Sequence, residues 1–168
     1  IIVKGDTGYA IAYASGRRAQ AEYTVVGANN VKTAYREDYV YAKGGLLKDV
    51  TLYTNQVVSG RTSRNYDAYG NVLNYTELYA NGALLRSSVY DYNLDNQTLH
   101  ETRDDYKSDK SGSGSISTYN YANYTNYTLG RLKTVSSTQY TFDVNYVKTN
   151  NVSSTTYYSY SYWDSAKQ

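Results

Sequence analysis

Between Tyr66 and Tyr92 the chain reads YDAYGNVLNYTELYANGALLRSSVYDY, with Gly70 and Gly82 twelve residues apart. Twelve residues hold one strand of about eight and one turn of about four, the ordinary step of an all-β chain. The dipeptide Asn81-Gly82 predicts a two-residue type I′ hairpin, whose central residues both need positive φ. Gly70 in DAYGN and Gly44-Gly45 in AKGG mark similar reversals.

Between such turns the side chains alternate rather than follow a helical period. In YTFDVNY, Tyr140, Phe142, Val144 and Tyr146 fall on one side and Thr141, Asp143 and Asn145 on the other, the pattern of a half-buried strand. Tyr9, Ile11 and Tyr13 alternate with small Ala10, Ala12 and Ala14, and Tyr158, Tyr160 and Tyr162 repeat the spacing. The 168 residues include 24 Tyr but one Phe, one Trp and no Pro. At average usage roughly eight prolines would be expected. Their absence suits a backbone engaged in ladders throughout, because Pro deletes a ladder donor. The chain is therefore expected to be all-β.

The Tyr-rich turn entrances recur along the chain. They begin at Tyr13 (before Gly16), Tyr41 (before Gly45), Tyr66-Asp67 (before Gly70), Tyr90-Asp91, Tyr121, Phe142-Asp143 and Trp163-Asp164. The intervals of 28, 25, 24, 31, 21 and 21 residues each correspond to two strand-turn steps, and periods of about 20 to 50 residues point to repeat architectures. A second shared element follows several starts, glycine and then aliphatic residues leading to Tyr: GGLLKDVTLY, GNVLNYTELY, GALLRSSVY after Gly82, and GRLKTVSSTQY from Gly130. The longest interval contains RDDYKSDKSGSGSIS. A stretch so charged and Gly/Ser-rich predicts a loop inserted at about 103–117.

Tyr-Asp followed by Gly-Asn, then Gly-x-Leu and a run back to Tyr, resembles the YD repeat of the Rhs family. The resemblance is sharpest over Tyr41 to Tyr92; elsewhere Ala42 and Ala122 replace the Asp, and Phe142 and Trp163 replace the Tyr. It implies β-hairpins joined side by side into one continuous, twisted antiparallel sheet that coils into a hollow shell. Bacterial members enclose a toxic C-terminal domain in such a shell, and animal relatives are cell-surface adhesion proteins. About six repeats are then expected, in a single array over residues 1–168.

Reaction chemistry is sparse. Without Cys there is no disulfide framework, thiolate nucleophile or Cys-ligated metal. His100 is the only imidazole and is expected in a solvated loop; no G-x-S-x-G elbow accompanies it. Asp104, Asp105 and Asp109 lack the spacing of a calcium loop, and Gly112-Ser-Gly114 lacks the Lys and helix of a phosphate loop. The formal charge of +2 is interspersed, with Arg17-Arg18 the one adjacent basic pair, so no nucleic-acid stripe is expected. No run reaches the roughly 20 apolar residues of a membrane helix. Asn-x-Ser/Thr sites at Asn74, Asn96, Asn123, Asn126 and Asn151 are near chance frequency.

These residues predict a structural protein rather than an enzyme, with no cofactor and no metal. The repeated tyrosines are expected to stack between neighbouring strands, and Asp67 to accept backbone N–H bonds in its turn. Beginning at Ile1 and having no Met, the chain is expected to be a piece of a longer secreted or cell-surface protein. Its partners would be neighbouring repeats and, through open sheet edges, other strands. An adhesive or filamentous segment and a carbohydrate-binding β-domain are the alternative functions.

Overall fold

The structure is a computed structural model that describes residues 2–4, 10–122 and 130–159. It is all-β. Twelve strands occur among the described residues: β1 (Ile2–Lys4), β2 (Ala10–Ala14), β3 (Arg17–Val26), β4 (Lys32–Tyr41), β5 (Leu47–Thr54), β6 (Val57–Tyr66), β7 (Val72–Tyr79), β8 (Leu84–Tyr92), β9 (Thr98–Tyr106), β10 (Gly112–Ala122), β11 (Arg131–Phe142) and β12 (Lys148–Tyr157). Their hydrogen-bonded order is the order of the sequence. The chain divides into two compact units, Ile1–Ser87 and Ser88–Gln168. No helix long and apolar enough to cross a membrane occurs among the described residues. Trp163 and Asp164 lie outside them, as do Tyr9, Tyr160, Tyr162, Asn123 and Asn126.

One five-residue turn accounts for six of the reversals: 42–46, 67–71, 79–83, 93–97, 107–111 and 143–147. In each, the first N–H donates to the fifth carbonyl and the fourth N–H donates back to the first carbonyl, over 2.7–3.3 Å. The fourth residue has positive φ: Gly45 (86°), Gly70 (93°), Gly82 (83°), Asn96 (60°), Lys110 (72°) and Tyr146 (62°). At five of the six this is the three-residue hairpin, a type I turn closed by a bulge residue in the left-handed region; at 42–46 the third residue, Gly44, is left-handed as well (89°). Asn81-Gly82 is thus not a type I′ turn, because Gly82 alone of the pair turns left-handed. The two-residue turns with positive φ at both positions are Ser15-Gly16 and Asn55-Gln56.

Three further expectations change. Tyr90-Asp91 lies inside β8, and the turn is entered two residues later by Tyr92-Asn93. Among the described residues the interval from Tyr121 to Phe142 covers one strand instead of two, since these residues lie at the ends of the neighbouring antiparallel strands β10 and β11. Val144 and Tyr146 are turn residues, because β11 stops at Phe142 where Asp143 begins the reversal.

In the first unit the register carries one row across the strands: Ile11 faces Ala21, Ala21 faces Glu37, Glu37 faces Leu52, and Leu52 faces Gly60. Ile11, Ala21 and Val50 are its buried hydrophobic residues, at 7%, 2% and 8% exposure. The rest of the sheet is only partly covered; all eight side chains of β7 are half-buried. A surface neither dry nor fully wet favours amphipathic side chains, which explains why Tyr outnumbers Phe here.

In the second unit the stretch expected as a loop at 103–117 is instead the end of β9, the turn 107–111 and the first half of β10. GSGSIS alternates: Gly112, Gly114 and Ile116 share one face, and Ser113, Ser115 and Ser117 the other. The glycines make room for rings. Gly112 faces Phe142 and Gly114 faces Tyr140 across the β10–β11 pair. A Cβ on Gly112 would meet the Asp105 carbonyl and lie 2.6 Å from the Phe142 ring, and one on Gly114 would meet Asp104 Oδ1 and the Arg103 carbonyl and lie 2.8 Å from the Tyr140 ring. Phe142 and Tyr140 are consequently buried at 4% and 3% exposure. An aromatic ring laid over a strand glycine shields backbone that glycine leaves bare.

The left-handed position gives a direct test. Lys110 occupies it with an L side chain, at a cost of about 1 kcal/mol that glycine does not incur. Lys110→Gly should raise unfolding stability by about 0.5–1 kcal/mol, measured as a higher urea midpoint at unchanged slope.

Candidate functional site: turn caps, tyrosine clamps and a serine trough

The turns are finished by side-chain oxygens. Asp67 Oδ1 accepts from the N–H groups of Tyr69 and Asn71, both at 2.9 Å, and its Oδ2 accepts from the Asn71 amide. Asn93 does the same for Asp95 and Gln97, and Asp143 for Asn145 and Val147. Where the first turn residue cannot, the third substitutes: Asn81 accepts from the Ala83 N–H and Asp109 from the Ser111 N–H. The Asn71 amide, assisted by backbone N–H groups, holds the Asp67 carboxyl below its ordinary range; the Ser111 hydroxyl does so for Asp109. Gly45 has a second constraint, since the Arg17 guanidinium lies where its Cβ would stand.

Three tyrosines at strand ends act through their hydroxyls. Tyr41 donates to the Arg18 carbonyl at 2.8 Å, Tyr66 to the Leu47 carbonyl and Tyr121 to the Thr98 carbonyl at 2.9 Å. Each donor sits at the end of β4, β6 or β10, and each acceptor at the start of the preceding strand. The bond therefore clamps the open end of a strand pair, a task Phe cannot perform. Ring stacking, expected of the repeat-start tyrosines, is instead seen between Tyr23 and Tyr35, which are not among them, 5.2 Å apart and 19° from parallel. Tyr13 stands at a bulge opposite Arg18. Phe142, without a hydroxyl, packs among Tyr106, Tyr140 and Tyr146.

Sequence reasoning missed a set of phenol–carboxylate pairs: Tyr39 with Glu37, Tyr75 with Glu77, Tyr119 with Glu101 and Tyr140 with Asp104. The first two are two residues apart on one strand, a spacing visible in REDY and YTEL; the others join different strands. Burial, then the neighbouring carboxylate, raises all four phenols, with Tyr119 pushed up to about 12. Guanidinium groups cover several rings; that of Arg36 lies 4.1 Å from the Tyr53 centroid. Burial works against ionisation of Asp38, but hydrogen bonds from Arg36 and Gln20 outweigh it and hold its carboxyl low.

Asp91 and His100 meet: Nδ1 of His100 lies 2.9 Å from Asp91 Oδ1. His100 is on β9, not in a loop, and both side chains are more than half exposed. Gly130 precedes β11, and its carbonyl accepts from Gln97 Nε2 at 2.6 Å. Among the described residues no three His, Cys, Asp or Glu side chains gather to hold a metal ion.

The face of β10 opposite the rings forms a trough. Its floor is Ser113, Ser115 and Ser117; one wall is Asp105, Arg103 and Glu101, and the other Thr141, Gln139 and Ser137. The groove around Ser113, Ser115 and Gln139 has a volume of about 370 Å³, and Arg103 Nε donates to Asp105 Oδ2 beside it at 3.1 Å. Compared with known proteins, the chain matches no family model and no curated protein sequence.

The phenol–carboxylate pairs have an alkaline signature. The folded state holds the Tyr119 proton more tightly than an unfolded tyrosine with its ordinary value of 10.0. The stabilisation is complete below that value and is lost as pH rises toward about 12. Urea midpoints should fall across this window, and Tyr119→Phe should flatten the fall.

Proposed function

We propose that this chain is a structural segment of a large YD-repeat protein working outside the cell, where side-by-side hairpins build a wall or stalk. The observation that carries this reading is the in-sequence strand order. Each strand is bonded to its sequence neighbours, so the sheet grows by addition of one hairpin after another, as in other quasi-one-dimensional repeat proteins. The reuse of one turn geometry and of one tyrosine clamp supports it. A wall of this kind serves to enclose a toxic domain or to hold a surface away from the cell. The Rhs resemblance favours the first of these.

Growth by hairpins is testable by excision. Residues 42–66 hold the turn 42–46, the turn Asn55-Gln56 and the pair β5 and β6, and their removal joins Tyr41 to Asp67, the entrance of an equivalent turn. The shortened chain is expected to keep its β-type circular dichroism and a cooperative urea transition. Loss of both would show that the strands depend on packing beyond their neighbours and would count against the array.

The serine trough favours a second reading, a carbohydrate-binding face. Hydroxyls, an amide and an Arg–carboxylate pair in one shallow groove suit a hydroxyl-bearing ligand. Binding on a glycan array that disappears with Ser115→Arg while the fold persists would select this reading.

A further inference from the structure

We propose that Asn81 is a self-modification site: attack by the Gly82 nitrogen and then by water converts its side-chain amide to a carboxylate, at a rate set by opening of the turn 79–83. Asn81-Gly82 is the one Asn-Gly step in the sequence; every other Asn is followed by Tyr, Val, Leu, Gln or Asn. The reaction closes a five-membered ring, and the side chain of the following residue is what ordinarily hinders that closure. Glycine has none. Space around Gly82 is open as well, since a Cβ there would meet nothing within 4 Å. Ala80, Asn81, Gly82 and Ala83 are all exposed, so water reaches the ring as soon as it forms.

The Gly82 nitrogen forms a bond to Asn81 Cγ and gives up its proton, and the side-chain nitrogen of Asn81 leaves as ammonia. Water then opens the succinimide. Cleavage of the bond to Cγ gives aspartate in the original backbone; cleavage at the main-chain carbonyl gives isoaspartate, with one methylene more in the backbone. In the closed turn both reacting groups are occupied: the Gly82 N–H donates to the Tyr79 carbonyl at 2.9 Å, and Asn81 Oδ1 accepts from the Ala83 N–H at 2.9 Å. Attack therefore waits on loss of these two bonds, an opening confined to an exposed hairpin tip. The aspartate product has a precedent in the same sheet. Asp109 stands third in the turn 107–111 as Asn81 does in 79–83, and its Oδ1 accepts from the Ser111 N–H at 2.9 Å. A carboxylate at position 81 thus keeps the cap. Isoaspartate does not fit, because its added methylene pushes the third and fourth residues apart. The bond from the Tyr79 N–H to the Ala83 carbonyl, 2.8 Å in the intact turn, is then lost.

The test is storage of the 168-residue chain at mildly alkaline pH, followed by isoelectric focusing and mass-spectrometric peptide mapping. The first product is expected to be more acidic by a single charge, lowering the formal +2 by one, with the change at Asn81. It should form faster in the urea-unfolded chain than in the folded one. Asn81→Gln, whose longer side chain closes its ring far more slowly, should abolish this first step with circular dichroism unchanged. Asn81→Asp should keep the urea midpoint of the wild type, and the isoaspartate form, separated by ion exchange, should unfold at lower urea. A folded chain that stays unmodified, reacts first at another Asn, or reacts as fast as the unfolded one overturns the proposal. So does an Asn81→Asp chain no more stable than the isoaspartate form.

Discussion

The left-handed residue in fourth place of each five-residue turn is the constraint on which the rest of the sheet depends. It brings the first N–H and fifth carbonyl together and so sets which residues face each other in the strands that follow. A slip of one residue would move every side chain to the opposite face. Glycine meets the requirement at three of the six turns; Asn96, Lys110 and Tyr146 meet it with a side chain. At Tyr146 the ring lies 5.7 Å from Phe142, 20° from parallel, and offsets the local strain.

Given the register, sparse burial decides the chemistry. With Ile11, Ala21, Val50, Tyr140 and Phe142 as the buried hydrophobic residues among those described, aliphatic packing contributes modestly. Cohesion falls to groups that function half-wet: phenols donating to carboxylates or carbonyls, guanidinium groups over rings, and hydroxyls paired across strands. Each is modest alone, of order 0.5–1.5 kcal/mol. Many such contacts along the sheet suffice where few hydrophobic side chains are buried among the described residues. The same economy of means leaves β10 with two different faces, rings over glycine on one and a polar trough on the other.

Much of this was legible in the residues. Alternation at Tyr140 and Phe142, the glycines at 45, 70 and 82, and the capping role of Asp67 follow from backbone geometry that a few neighbouring residues control. GSGSIS misled because its alternation is small against smaller, without the apolar signal by which strands are recognised; only Phe142 and Tyr140, some thirty residues on, complete its apolar face. Tyr90-Asp91 misled in the other direction. It has the letters of a turn entrance, yet the stronger turn former Asn93 lies two residues further on, and Asp91 takes His100 as its partner instead.

The all-β class, the approximate strand count and most reversal points follow from the residues alone, because positive φ and period-two alternation are local demands. Which hydroxyl clamps which carbonyl, the raising of Tyr119 and Tyr140 by Glu101 and Asp104, and the trough of three serines between charged and neutral walls emerge with the folded sheet. Those partners lie 18 to 36 residues apart. They meet because the turns hold their strands in register, and no local pattern in either partner encodes that meeting.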